Sequence, residues 1–190
     1  MTATRWLDDG EQEMWRAYLW SSRLLFEALD RQLQRDAGIP HAYYMILSAL
    51  SEAPGRELTM TELAGTVRGS ASRLSHAVAR LEESGWVCRE RLAGDRRTTV
   101  ARLTSEGLAV VEAAAPGHVE AVRRLLFDPL AEGQVGELRS AFRSVLGRLD
   151  PEAGSAAARW SGAAGAAVGA GDLDGDEDGE DRAGGDGGER

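Results

Sequence analysis

Apolar side chains recur at three- and four-residue steps through Trp15, Tyr18, Ser22, Leu25, Leu29 and Leu33, with Phe26 widening the stripe. That period predicts an amphipathic helix over residues 11–37, and Gly38 is a natural stop. Pro40 suits the first turn of a second helix with Ile46, Leu47 and Leu50 inward, ended by the Ala-Pro-Gly at 53–55. Thr59 and Glu62 have the spacing of a capping box and start a third, short helix on Leu63, Ala64 and Val67. Gly69 and Ser70 break and recap the chain. A fourth helix follows from Ser70 or Ala71 to Ser84, with Leu74, Ala77, Val78 and Leu81 inward and Gly85 closing it.

The period then changes from 3.6 to 2. Trp86 to Arg91 alternates, Thr99 to Leu103 is a second extended stretch, and Leu-Ala-Gly-Asp-Arg-Arg-Thr between them is turn-forming, so the pair predicts a hairpin. Two short helices joined by a brief turn and followed by a hairpin make a winged helix-turn-helix. Thr104 can cap a long helix with Leu108, Val111, Ala115, Val119, Val122 and Leu126 in phase. Pro116 falls inside it, where a kink is expected. Val135, Leu138, Phe142, Val145 and Leu149 define a last helix.

The fold class expected is therefore mainly α with a small β-hairpin wing: a winged helix-turn-helix plus a helical dimerisation domain. Residues 1–10 read as a flexible N-terminus and 11–150 as the folded domain. Within it, dimerisation helices occupy about 11–37 and 104–150, and a DNA-binding part about 56–104. The first helix and the last two are amphipathic and far apart in the chain. A four-helix winged core cannot cover three such stripes, whereas pairing across a two-fold axis would bury them.

Composition sharpens this division. Residues 151–190 hold three arginines against ten acids, net −7, and 11 of the 23 glycines, with few large apolar residues, so they read as a disordered, acidic, Gly-rich tail. The formal net charge of −9 thus belongs mostly to the tail. Residues 68–102 carry eight arginines against four acids, net +4, and the overall acidity does not argue against nucleic-acid binding there. Asp174, Asp176, Asp178 and Gly179 begin like a calcium loop, but Gly185 stands where a bidentate Glu is needed, and no metal or cofactor is expected. No apolar run is long enough for a membrane span, and the first ten residues lack the apolar stretch of a signal peptide. With one cysteine, Cys88, no internal disulfide can form, and a reducing cytoplasm is the expected compartment.

The candidate chemistry lies on the fourth helix and the hairpin. Opposite Leu74, Val78 and Leu81 stand Ser72, Arg73, His76 and Arg80, with Ser70 and Ser75 near the helix start. A recognition helix meets base edges mostly through its N-terminal half, and an arginine there can fork onto guanine O6 and N7. Arg96 and Arg97 sit at or near the wing tip, where a guanidinium can enter a minor groove.

At these residues the chain resembles the MarR (multiple antibiotic resistance regulator) family of bacterial transcription factors, over about residues 12–150. The resemblance is carried by "SEAPGRELTMTELAG", by "SASRLSHAVARLEESGWVCRERLAGDRRTTVARLTSEG" and by the flanking helices. Its sharpest part is Asp95-x-Arg97 before a strand ending in Leu103-Thr104. The resemblance implies that Asp95 braces the wing, that Arg97 contacts DNA, and that Arg96 is a second contact. It implies a homodimer acting as a transcription regulator, most simply a repressor on a pseudo-palindromic operator. It also implies release by a small aromatic effector in a crevice that Trp15, Tyr18, Trp20, His41, Tyr43 and Tyr44 would line. "RGSASRL" departs from common members in carrying Gly69 and little bulk before the recognition helix.

Rival readings are an enzyme and a winged helix that binds protein rather than DNA. No phosphate-binding, zinc-protease or nucleophile-elbow motif is present, and His41, His76 and His118 fall on three different expected helices. Cys88, on the first wing strand beside Trp86, reads as a packed thiol rather than a redox sensor.

Overall fold

The computed structural model describes residues 3–92 and 94–150, with only the backbone of Arg96. The acidic tail, 151–190, lies outside the described residues. Helix α1 spans Asp9–Ala37. It starts earlier than the apolar period suggests because Asp8 accepts the Glu11 amide at 2.8 Å while Glu11 accepts the Asp8 amide at 3.0 Å, a complete capping box. Gly38, at φ 68, ends α1 in the left-handed conformation that a glycine adopts without strain. Pro40 is the N-cap of α2, His41–Glu52.

The helix-turn-helix comes next. α3 runs over Met60–Val67 with Thr59 and Glu62 forming its capping box. Arg68, at φ 52, turns the chain, and Ser70 caps α4, Ala71–Glu83. The wing is a three-stranded antiparallel sheet in the order β1-β3-β2, from Glu57–Thr59, Val87–Leu92 and Asp95–Leu103. β1 carries no signal in the sequence pattern, being three residues just before a helix cap. The second wing strand starts four residues before the expected Thr99, so the connection from Leu92 to Asp95 is only Ala93 and Gly94, with Gly94 at φ 90.

The start of α5, Ser105–Val122, is tied to the wing root. Thr104 accepts the Gly107 amide at 3.0 Å and donates its hydroxyl to the Gly85 carbonyl at 2.8 Å. Gly107 is required by close approach, because a Cβ there would lie 2.1 Å from the Trp86 carbonyl oxygen. α5 runs through Pro116. A π-helical turn follows at Arg123–Phe127. α6 is Gln134–Leu149. Among the described residues, no helix is long and apolar enough to cross a membrane.

One core joins α2, α3, α4, the sheet and the facing sides of α1 and α5. Leu33, Leu47, Leu50, Leu63, Val78 and Leu81 are fully buried at its centre. The upper part of α1 and all of α6 lie outside it. Trp15 and Tyr18 are about half exposed, and α6 has no buried residue, with Val145 at 52% and Leu149 at 75% exposure.

Candidate nucleic-acid interface

The recognition helix buries Leu74, Val78 and Leu81 and turns Ser72, Arg73, Ser75, His76 and Arg80 to solvent. Three- and four-residue spacing sets Ser72, Arg73, His76 and Arg80 on one face. Ser70 is the cap, its hydroxyl accepting the Arg73 amide at 3.4 Å. Arg80 differs from Arg73 in holding an acid, Glu83, at 2.8 Å. The face therefore keeps its least compensated charge toward its N-terminal end.

The wing geometry depends on one carboxylate. Asp95 accepts the Arg97 amide at 2.9 Å and the Thr98 hydroxyl at 2.7 Å. These bonds, the Thr98 hydroxyl first, hold its carboxyl below the usual aspartate range. The first residues of β3 are thereby fixed, and the Arg97 side chain is left exposed. Arg96 occupies the same strand.

A second tie, which the sequence pattern did not single out, fixes the wing to the helix. Glu82, near the end of α4, accepts from the Arg89 side chain of β2 at 2.9 Å and from the Arg89 amide at 3.2 Å. The side-chain bond to Arg89 lowers the Glu82 carboxyl from its ordinary value. An acid in the last turn of a helix and an arginine on the next strand give no periodic signature. Their pairing is visible only once the hairpin is placed. Arg91 also lies on β2 and donates to Thr99 at 3.2 Å.

The six aromatic-crevice residues do not come together within the chain. Trp15 stacks on Tyr18 at 5.9 Å between ring centroids, and Tyr18 meets Phe142 of α6 at 6.2 Å. His41 and Tyr44 lie elsewhere, at the junction of α1, α2 and α5, where His118 sits 5.6 Å from His41 and 4.6 Å from Tyr44. Tyr43 packs half-buried against the core, and Trp20 is 65% exposed. A recess of about 330 Å³, lined by Leu130, Gln134, Glu137, Leu138 and Ala141, involves none of the six.

The His41–His118 junction was hidden by sequence separation. Buried Gln32, at 4% exposure, donates to Asp36 at 2.9 Å and faces His118 Nδ1 at 3.4 Å, while Asp30 accepts the His41 amide at 2.8 Å. Burial lowers the pKa of both imidazoles; the His41 charge lowers His118 further, and Asp30 partly opposes the shift of His41. Among the described residues no group of three or more His, Cys, Asp and Glu is placed to hold a metal. Cys88 is half-buried in β2.

Comparison with known proteins places this geometry. Residues 37–98 match the MarR family pattern. The structure of Sco3205, a MarR family transcriptional regulator from Streptomyces coelicolor in complex with DNA, is 51% identical. It matches 79% of this chain and 94% of its own with a TM-score of 0.76. AbsC, a MarR family transcriptional regulator of the same organism, is 40% identical over 78% of this chain and 100% of its own, with a TM-score of 0.74. The HTH-type transcriptional regulator PecS of Dickeya dadantii (strain 3937) is 26% identical over 129 residues, 68% of this chain and 75% of its own. These relatives are transcriptional regulators, not enzymes.

Proposed function

Because the chain belongs to the MarR family of transcriptional regulators, we propose that it is a cytoplasmic repressor that binds a pseudo-palindromic operator as a homodimer and lets go when a small aromatic ligand binds. The observation that carries the DNA reading is the pairing of two exposed cationic elements on a braced frame. Arg73 leads the outer face of α4, and Asp95 sets the backbone of Arg97 at the wing. In this reading Arg73, with Ser72, Ser75 and His76, reads base edges, while Ser70 and Arg80 contact the backbone. Arg97 and Arg96 enter the flanking minor groove or hold its phosphates.

Dimerisation is supported by the apolar faces that one chain leaves open. Trp15, Tyr18, Phe142, Val145, Leu146 and Leu149 are all more than one-third exposed and belong to two helices that already touch through Tyr18 and Phe142. An exposed apolar area of this kind marks an interface. A two-fold pairing would also bring Trp15 and Tyr18 to a partner surface, so an effector crevice would be completed by the second subunit.

Titration of a mixed-sequence duplex at low and moderate salt tests the reading. Affinity should fall steeply with salt, because each phosphate contact releases a counterion. A protein-binding winged helix, the alternative, would show no salt-sensitive duplex binding.

A further inference from the structure

The winged face carries cations without acid partners of their own. Among the described residues Arg73 and Arg97 make no ion pair, whereas Arg80, Arg89 and Arg102 each sit on a carboxylate. The end of the described residues lies beside this face. Asp150, the last described residue, pairs with Arg68 across 82 positions of sequence. Arg68 is the left-handed residue of the turn between α3 and α4, two positions before the Ser70 cap. The last described residue, Asp150, therefore lies on the threshold of the recognition helix.

The remaining forty residues are matched to that face in charge and in length. Residues 151–190 carry net −7, and seven of their ten acids fall at Asp172, Asp174, Asp176, Glu177, Asp178, Glu180 and Asp181. Asp172 is 22 positions beyond Asp150, a span of at most ~75 Å. The 13 residues of α4 cover only about 20 Å. Two groups joined by a short flexible link meet at an effective concentration on the order of millimolar, enough for weak ionic contacts to be populated.

We propose that the acidic run 172–181 docks in cis on the outer face of α4 and the wing of the DNA-free protein, with its carboxylates standing where DNA phosphates would. Duplex DNA and this run then compete for Arg73 and Arg97. The docking rests on charge and tethering alone, and the competition rests on the DNA reading above.

The test compares the full-length chain with a full-length variant in which the seven acids become Asn or Gln. Backbone amide shifts should differ at residues 70–80 and 95–98, by the same amount at every protein concentration. With a mixed-sequence 40-base-pair duplex as probe, the variant should bind roughly three- to tenfold tighter at low salt, and the gap should close where the Debye length is short. Tighter binding with unchanged shifts on α4 and the wing would reduce the effect to general repulsion and overturn the docking. Shift differences that grow with protein concentration would overturn the contact in cis. Shifts at the expected residues with equal affinity would overturn the competition. If neither protein bound the duplex, the DNA reading would fail while the shifts still decided the contact.

Discussion

Arg97 and Arg73 are both exposed arginines, but their settings give them different work. Arg97 comes after a carboxylate that grips its own amide, so its backbone position is fixed by Asp95 while its side chain is free to reach. Arg97→Ala should weaken binding to all duplexes about equally and shallow the salt slope by about one unit, with the fold intact. Unchanged binding near physiological salt would remove the wing from the interface. Arg73→Ala should instead relax the base preference at symmetric positions, since a forked arginine–guanine contact discriminates by ~1–3 kcal/mol. Identical motifs from binding-site selection with both proteins would take Arg73 out of base reading. Gly107 makes a purely structural prediction. Gly107→Ala forces a methyl against the Trp86 carbonyl, where 2.1 Å leaves no room, and should cost about 1–3 kcal/mol in denaturant unfolding. Wild-type stability would show that the α5 start can shift freely.

Elements were legible where chemistry is local. The Thr59–Glu62 capping box, the left-handed stop at Gly38 and the buried faces of α3 and α4 depend on residues within four positions of one another. β1 was not legible, because three residues cannot display a period and their pairing partners, Val100 to Arg102, lie about forty positions away. The junction of α1, α2 and α5 was missed for the same reason, His41 and His118 being 77 positions apart. That junction has a pH consequence. Both imidazoles have folded-state pKa values below the ordinary 6.5, so the unfolded chain takes up protons first as pH falls. Their contribution to stability is whole above pH 6.5 and is lost as pH drops through the depressed values. The melting temperature should therefore fall between pH 7 and pH 5, and His118→Gln should flatten that fall. A profile unchanged by the substitution would mean that His118 is not held neutral by its surroundings.

For the whole molecule, the winged core closes on itself while the upper part of α1 and all of α6 do not. The sequence pattern announced these unsatisfied stripes, but where they meet depends on long-range packing, such as Tyr18 on Phe142 and Asp150 on Arg68. The second of these joins the end of a helix proposed for dimerisation to the turn that sets the recognition helix. A two-fold pairing through α1 and α6 therefore has a direct route to the spacing of the two reading heads. Two such heads on one face of B-DNA must sit about 34–36 Å apart to enter successive major grooves. Selection of binding sites from a randomised duplex library by the full-length protein tests this most directly. The account predicts enrichment of an inverted repeat with half-sites centred about one helical turn, 10–10.5 base pairs, apart. Enrichment of a single asymmetric half-site, or of no sequence at all, would contradict it.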